Sequence, residues 1–403
     1  MNIAARRETP IALVTVSFAL VMIDGYDMFI VSFLAPLIAA ELHLSAVSMG
    51  LVFAAGLAGS MTGGLVLGPL ADRVGRRPVL LASLACAGLG TLLCAQASSP
   101  GTFGALRFLT GFALGGFLAA VVPLVAEYFP SERRSAAVTL MFIGYPLGAV
   151  VGGTLTALLL SHGWRNLFLG TGFATLLLVP VALLLRETLT RSPAAGAGPL
   201  RMAFGSTFIE LFTEGRLWAT LIASSGIFCL LLVSYLLNSW TPLIAIKSGF
   251  TPRTAALCGV LLNLGGIVGA LASTFFVKRL GVLKVAASMV AAGSLAIAVI
   301  GHLYGSAGTL FSGLFVSGLL VIGGQQNSPA IAVQLYPQRM RAAGTGWQFA
   351  AGRLGSILGP IIGGQLLAAN IPLSSLFLVV ALPTLLAAAA FCVVNHLQPR
   401  QEA

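Results

Sequence analysis

Apolar stretches of twenty residues or more recur from one end of this 403-residue chain to the other. A helix needs about 20 apolar residues to cross the hydrocarbon of a bilayer, where every backbone polar group must find its partner inside the chain. Cutting at charged residues and at Pro/Gly punctuation predicts twelve such segments, roughly 11–40, 46–71, 78–98, 101–128, 135–161, 164–186, 216–246, 252–277, 283–304, 307–336, 341–369 and 373–396. The longest polar interval, Glu187 to Gly215, contains "RSPAAGAGPL" and reads as a connector. The expected organisation is a six-helix bundle over 1–187, a cytoplasmic linker over 188–215 and a second six-helix bundle over 216–403. Only 8% of the residues are charged, against roughly a quarter in an ordinary soluble domain, too few to cover a water-facing surface. The expected fold class is therefore an all-α membrane protein with twelve transmembrane helices. Arg6 and Arg7 before an apolar stretch could also open a cleaved signal, but that stretch is too long and holds two acids. The five cysteines are scattered through apolar segments and read as small core residues, not as a disulfide or metal framework.

Charge placement orients the segments. With the N-terminus inside, 17 of the 22 Lys and Arg fall in inside loops and three, Arg165, Lys247 and Arg253, fall outside. That asymmetry obeys the positive-inside rule and puts both termini in the cytoplasm. The net charge of +11 then reflects topology and contact with anionic lipid; the basic residues are spread over short loops and form no nucleic-acid patch.

The chain also repeats itself. "YFPSERRSAAVT" (Tyr128–Thr139) is echoed by "YPQRMRAAGT" (Tyr336–Thr345), with Pro130 and Arg134 matching Pro337 and Arg341 at an offset of 207. "DRVGRR" (Asp72–Arg77) is echoed by "KRLGVL" (Lys278–Leu283), with Arg73 and Gly75 matching Arg279 and Gly281 at 206. Two independent matches on nearly one offset indicate a duplicated six-helix unit. Parallel repeats of this kind are the plan of carriers that rock two halves around a midplane site.

Four charges fall inside apolar segments: Asp24, Asp27, Arg107 and Arg353. Each costs roughly 2.5–3.5 kcal/mol near the bilayer centre on insertion scales, so all four are expected to face the protein interior. Asp24 and Asp27 lie one helical turn apart and share a face. Two carboxylates that close in a poorly solvated cavity favour uptake of a proton, through desolvation and like-charge repulsion. Arg107 is the expected partner that holds one of them ionised; a capping role or a static ion pair are the structural alternatives. Arg353 lies 12 residues into its segment from Arg341, near mid-membrane, and a guanidinium forks onto a carboxylate in a planar way. Phe349, one turn earlier, is placed to stack on an aromatic ring. "GGQQNSP" (Gly323–Pro329) loosens its helix at matching depth and offers Gln325, Gln326 and Asn327. Tyr145, Tyr235, Asn238 and Asn263 complete the candidate substrate set, ordinary packing being the alternative for each aromatic.

At the cytoplasmic ends, Gly68, Asp72, Gly75, Arg76, Glu127, Arg134 and Arg341 are read as a charge-relay latch between the halves. "GYPLGAVVGG" and "GRLGSILGPIIGG" offer small-residue faces for close helix packing.

"GPLADRVGRRPVL" (Gly68–Leu80) resembles the helix 2–3 loop signature of the major facilitator superfamily. Within it, "DGYD" in helix 1, "RFLTGFALGG" leading to "EYFP", and "QQN…LYPQRMRAAGTGW…GRLGSILGP" resemble the aromatic acid:proton symporter family. The resemblance spans the chain and implies import of benzoate-type acids, hydroxybenzoates or hydroxyphenylpropionates with protons across the bacterial inner membrane. The family's helix 4 usually carries a Pro-Asn pair eight residues before its Glu-Tyr; Ala119 and Ala120 stand there in this chain, which removes a polar cavity group. The expected function is thus a proton-coupled uptake carrier for a monocyclic aromatic carboxylate, acting as a monomer, with protons as coupling ion and no cofactor or metal. A carrier of another small organic anion and a drug:proton antiporter are the rivals on the same fold. No HExxH, GxSxG or Cys/His cluster supports a membrane enzyme, and duplicated halves with buried charges do not suggest an open channel.

Overall fold

The computed structural model describes residues 10–185, 187, 210–213, 216–303, 305–337 and 340–397. The linker expected over 188–215 lies outside the described residues except for Glu210–Thr213. The described elements are helical throughout. They are α1 (Pro10–Glu41), α2 (Ala46–Val74), α3 (Arg76–Cys94), α4 (Pro100–Tyr128), α5 (Ser131–Leu159), α6 (Gly163–Ala182), α7 (Leu217–Lys247), α8 (Pro252–Leu280), α9 (Val282–Ile300), α10 (Ala307–Leu335), α11 (Arg341–Ala368) and α12 (Leu373–Leu397). Ten helical stretches among the described residues are long and apolar enough to cross a membrane; Ala137–Ala182 is one such stretch holding parts of α5 and α6, and the glycine-rich α11 is not among them. Twelve spans are therefore matched only in part. The chain divides into two compact units, Met1–Thr190 with Pro242–Val260, and Arg191–Thr241 with Leu261–Ala403.

The duplication read from the sequence recurs as backbone geometry. Ser45 caps α2 by accepting the Ser48 N–H at 3.1 Å, and Thr251, 206 residues on, caps α8 by accepting the Thr254 N–H at 3.3 Å. Ser99 caps α4 and Ser306, 207 on, caps α10 in the same way, each at 3.2 Å. These hydroxyls satisfy N–H groups that a helix start leaves without partners. Gly75 (φ 122°) and Gly281 (φ 85°) end α2 and α8 in a backbone region that side chains avoid, so the paired glycines in the two loops are conformational requirements.

Helix packing repeats with equal fidelity. In the first unit α2 and α4 touch backbone to backbone: a Cβ at Gly59 would collide with the Phe108 carbonyl, and one at Gly63 with the Phe112 carbonyl. In the second, Gly265 meets the Phe315 carbonyl and Gly269 the Leu319 carbonyl, each pair displaced by 206 and 207 residues. The α1/α5 contact (Gly148 on the Met22 carbonyl) is likewise reproduced between α7 and α11 (Gly355 on the Phe228 carbonyl). The two small-residue faces expected from the sequence thus lie where helix backbones meet. Lipid tails supply no hydrophobic force between helices, so close van der Waals approach through small residues has to hold them.

α10 is interrupted. A π-helical turn over Gly318–Ile322 is followed by a break at Gln326 and Asn327 before the helix restarts at Ser328 with Pro329 in its first turn. This is the loosening expected from "GGQQNSP".

Gly63→Val would force a methyl-bearing carbon into the Phe112 carbonyl, and overpacking of this kind costs about 1–3 kcal/mol or more. Its thermal unfolding midpoint in detergent is expected to fall well below that of the native protein. Gly170→Ala, at a position with open space around it, is expected to leave the midpoint unchanged.

Candidate functional site

Packing of α1 on α5 decides where its carboxylates point. Gly25 lies directly on the Tyr145 carbonyl and Gly144 on the Phe18 carbonyl, so α1 is fixed in rotation with Asp24 and Asp27 turned into the first unit. Both are buried, at 1% and 2% exposure, and so is Arg107 at 2%. Arg107, from α4, places Nη1 3.4 Å from Asp27 Oδ1 and donates from Nη2 to the Asp27 backbone carbonyl at 2.9 Å. Thr91, from α3, donates its hydroxyl to the same Oδ1 at 2.9 Å. Among the described residues Asp27 Oδ2 has no hydrogen-bond partner. The Phe168 ring from α6 lies 6.0 Å from the Arg107 guanidinium carbon. The neighbouring Tyr26 hydroxyl is 2.9 Å from Thr156 Oγ1.

The duplication shows that the fold does not require these groups. The positions equivalent to Asp24, Asp27, Thr91, Cys94 and Arg107 are Leu230, Val233, Ile297, Ile300 and Leu314, all fully buried at 0% exposure. One unit fills with hydrocarbon the space in which the other holds an ion pair.

The second unit is specialised differently. Asn263 Nδ2 donates to Asn238 Oδ1 at 2.8 Å, and Asn238 Nδ2 donates to the Ser234 carbonyl at 2.9 Å. At the break in α10, Asn327 is buried, with Ser273 Oγ 3.4 Å from its Oδ1 and its Nδ2 donating to the Gly324 carbonyl at 3.2 Å. Gln325 is half-buried and Gln326 exposed. Their equivalents in the first unit, Leu118, Ala119 and Ala120, are apolar, as is Leu57, the equivalent of Asn263. Tyr235 is half-buried on α7. Tyr145 belongs to the first unit, where its ring meets Phe29 edge-on with centroids 5.8 Å apart.

Arg353 is half-buried on α11, at the position equivalent to Pro146. Among the described residues its guanidinium meets no hydrogen-bond acceptor and no carboxylate, and the sequence contains no Asp or Glu between Glu214 and Glu402. Phe349, one turn before it, is 53% exposed, and Leu354 beside it 50%.

Where α2 gives way to α3 in the first unit, Arg76 contacts Glu127 and lies 3.4 Å from Asp72, whose side chain is 63% exposed. Gly75 is fixed there by its positive φ, and the Arg77 N–H donates to Glu187 Oε2 at 2.9 Å. Gly68 lies against Ala119 of α4. Arg134 is exposed; Arg341, also exposed, donates from Nε to the Tyr336 carbonyl at 3.3 Å. The sequence leaves open which aspartate Arg107 holds, and the structure puts it on Asp27; the sequence groups Asn238 with Asn263, and Asp72 and Glu127 with Arg76, only as members of the same candidate sets. It missed Thr91 and Glu187. Thr91 had one readable signal, a hydroxyl deep in an apolar segment where the repeat has Ile297.

Removing one partner of a buried pair strands the other and costs about 3–5 kcal/mol, whereas hydrocarbon of similar volume at both positions is near neutral or better. Asp27→Val alone is therefore expected to lower the thermal midpoint strongly. Asp27→Val with Arg107→Leu, which copies the second unit, is expected to restore it without restoring function. A double variant as unstable as the single one would make the pair a structural requirement.

Residues 17–347 match the description of the Major Facilitator Superfamily. Over 95% of its length the chain is 34% identical to a gallate transporter of Pseudomonas putida, covering 91% of that protein. It is 30% identical to a 4-hydroxybenzoate transporter of Acinetobacter baylyi, with 94% and 89% of the two chains covered. It is 33% identical to a 3-(3-hydroxy-phenyl)propionate transporter of Escherichia coli, with 87% and 85% covered. Among solved structures, a bacterial homologue of the lysosomal transporter Spinster in an inward-facing, occupied conformation superposes with a TM-score of 0.80 at 15% identity, over 97% of this chain and 98% of that one. The nucleoside transporter NupG gives 0.76 at 17% identity, over 96% and 99%. At such identities these two speak for the fold alone.

Proposed function

The chain belongs to the major facilitator superfamily, among its aromatic-acid transporters, and from that membership we propose that it imports a monocyclic, hydroxybenzoate-like carboxylate by proton symport with alternating access. It is a multi-pass membrane transporter and not an enzyme. The reading places twelve crossings in the bacterial inner membrane with both termini cytoplasmic, in keeping with the 17-to-3 distribution of basic residues.

Arg353 is the observation that carries the substrate class. A half-buried guanidinium in a stretch with no Asp or Glu between Glu214 and Glu402 needs its counter-ion from elsewhere, and a substrate carboxylate supplies it in bidentate form. A cationic drug would find no acid there, which disfavours an antiporter. Asn238, Asn263, Asn327 and Gln325 offer donors and acceptors for ring hydroxyls in the same unit, and the similarity to carriers of gallate and 4-hydroxybenzoate supports a hydroxylated ring.

The proton is assigned to Asp27. In the outward-open state the carboxylate binds a proton and Arg353 binds the anion. The anion then neutralises Arg353, while the proton loosens the Asp27–Arg107 ion pair and Arg107 stays anchored on the Asp27 main-chain carbonyl. After inward opening the proton leaves, Arg107 again faces an ionised carboxylate, and the anion is released. The Asp72/Arg76/Glu127 cluster serves as the cytoplasmic latch whose making and breaking accompanies the switch.

Uptake of labelled 4-hydroxybenzoate and gallate into proteoliposomes tests this. An inward proton gradient is expected to drive accumulation of one or both by the native protein. Arg353→Gln and Asp27→Asn are each expected to abolish it, and Asp72→Asn to slow it without weakening binding. Accumulation indifferent to the gradient would remove the symport reading. Competition by acetate or gluconate but not by benzoate would replace the aromatic substrate with an aliphatic one.

A further inference from the structure

Threonines inside the helices of the first unit have a default habit. Thr110 donates to the Leu106 carbonyl at 2.8 Å, Thr154 to Val150 at 2.7 Å, Thr171 to Leu167 at 2.8 Å and Thr175 to Thr171 at 2.9 Å, each on its own helix. In hydrocarbon this is the cheapest way to satisfy a hydroxyl, since the carbonyl one turn back is always within reach. Thr91 departs from it. Fully buried on α3, it reaches across to α1 and gives its hydrogen to Asp27 Oδ1 at 2.9 Å. Its equivalent in the second unit is Ile297, also fully buried, so a β-branched hydrocarbon fits the same slot where no carboxylate is present. The hydroxyl therefore belongs to the ionisable site and not to the fold.

The geometry also makes the two oxygens of Asp27 unequal. Oδ1 receives Thr91 and lies 3.4 Å from Arg107 Nη1, while Arg107 Nη2 is anchored on the Asp27 main-chain carbonyl at 2.9 Å. Oδ2 has no partner among the described residues. We propose that Thr91 is a positioning residue of the proton site, which with Arg107 holds Asp27 Oδ1 as a permanent acceptor and leaves Oδ2 as the oxygen that takes the proton. The inference rests on the reading that Asp27 carries the coupled proton. On protonation one O–H bond forms at Oδ2 and Oδ1 becomes the carbonyl oxygen. Thr91 keeps its own hydrogen throughout and donates to Oδ1 in both states, so the carboxyl plane does not turn as the charge comes and goes. The other ionisable groups near this carboxyl are Tyr26 on α1, Cys94 on α3 and Arg107 on α4, with Asp24 one turn earlier on α1; α6 presents the uncharged Phe168 to Arg107.

The test is infrared difference spectroscopy of the purified full chain in lipid, stepped through pH. The carbonyl stretch of protonated Asp27 is assigned by its loss in Asp27→Asn. A hydrogen bond to a carbonyl oxygen weakens the C=O bond. In Thr91→Val the band is thus expected to move to higher wavenumber, while Thr91→Ser, which keeps the hydroxyl, leaves it in place. Thr91→Ile, copying the second unit, serves as the apolar variant if Thr91→Val does not fold. An unmoved band in the apolar variant, no Asp27 band at any pH, or an equal shift in Thr91→Ser would each overturn the assignment. Gradient-driven uptake by the native protein is read separately. A band that shifts as expected without gradient-driven uptake would sink the symport reading and leave this assignment standing; gradient-driven uptake with an unmoved band would do the reverse.

Discussion

Backbone-to-backbone contact through glycine is the constraint on which the rest of this molecule depends. Helices in lipid are not driven together by the exclusion of water, so their approach must come from shape. Gly59 and Gly63 against the α4 carbonyls, and Gly25, Gly144 and Gly148 between α1 and α5, bring the helix axes too close for any side chain to intervene. That closeness also fixes rotation. With α1 seated on α5 through Gly25, its aspartates have one direction to face, and Asp27 meets α3 and α4. The ionisable site is thus a consequence of where the small residues lie, with Gly25 standing between Asp24 and Asp27 in the chain.

The duplicated architecture supplies an internal control. Where one half has Asp27, Thr91 and Arg107, the other has Val233, Ile297 and Leu314. Where the second half has Asn263, Asn327 and Arg353, the first has Leu57, Ala120 and Pro146. Helix bounds, caps, the positive-φ glycines Gly75 and Gly281, and helix contacts recur at the same offsets, while these buried polar residues do not. Burying a charge or an amide without need costs several kcal/mol in a low-dielectric interior, so each departure from the common apolar pattern asks for a reason. The two sets of departures differ in kind. One holds a buried carboxylate paired with a guanidinium, and the other holds a half-buried guanidinium and buried amides.

Much of this was legible in the sequence, because membranes impose coarse rules. The expected segment 46–71 became Ala46–Val74, 101–128 became Pro100–Tyr128, and 307–336 became Ala307–Leu335 with its break where "GGQQNSP" put it. That Arg107 would face one of the two aspartates followed from there being so few intramembrane charges to pair. What sequence could not resolve was rotation. Asp24 and Asp27 share a face at three-residue spacing, and which of them meets Arg107 depends on how α1 sits on α5. Thr91 escaped notice because a threonine can satisfy itself on its own helix and leaves no periodic trace. Phe349 shows the converse: the spacing set it beside Arg353, but its ring is more than half exposed.

The central claim is that anion binding in one half is tied to proton binding at Asp27 in the other, and ligand-linked proton exchange measures it most directly. The purified protein in weakly buffered solution with a pH indicator would be mixed with an aromatic carboxylate at a pH where Asp27 is ionised. The account expects proton uptake from solution that saturates with the ligand and disappears in Asp27→Asn, while that variant still binds the anion. Binding without a proton signal, or a signal that survives Asp27→Asn, would contradict it.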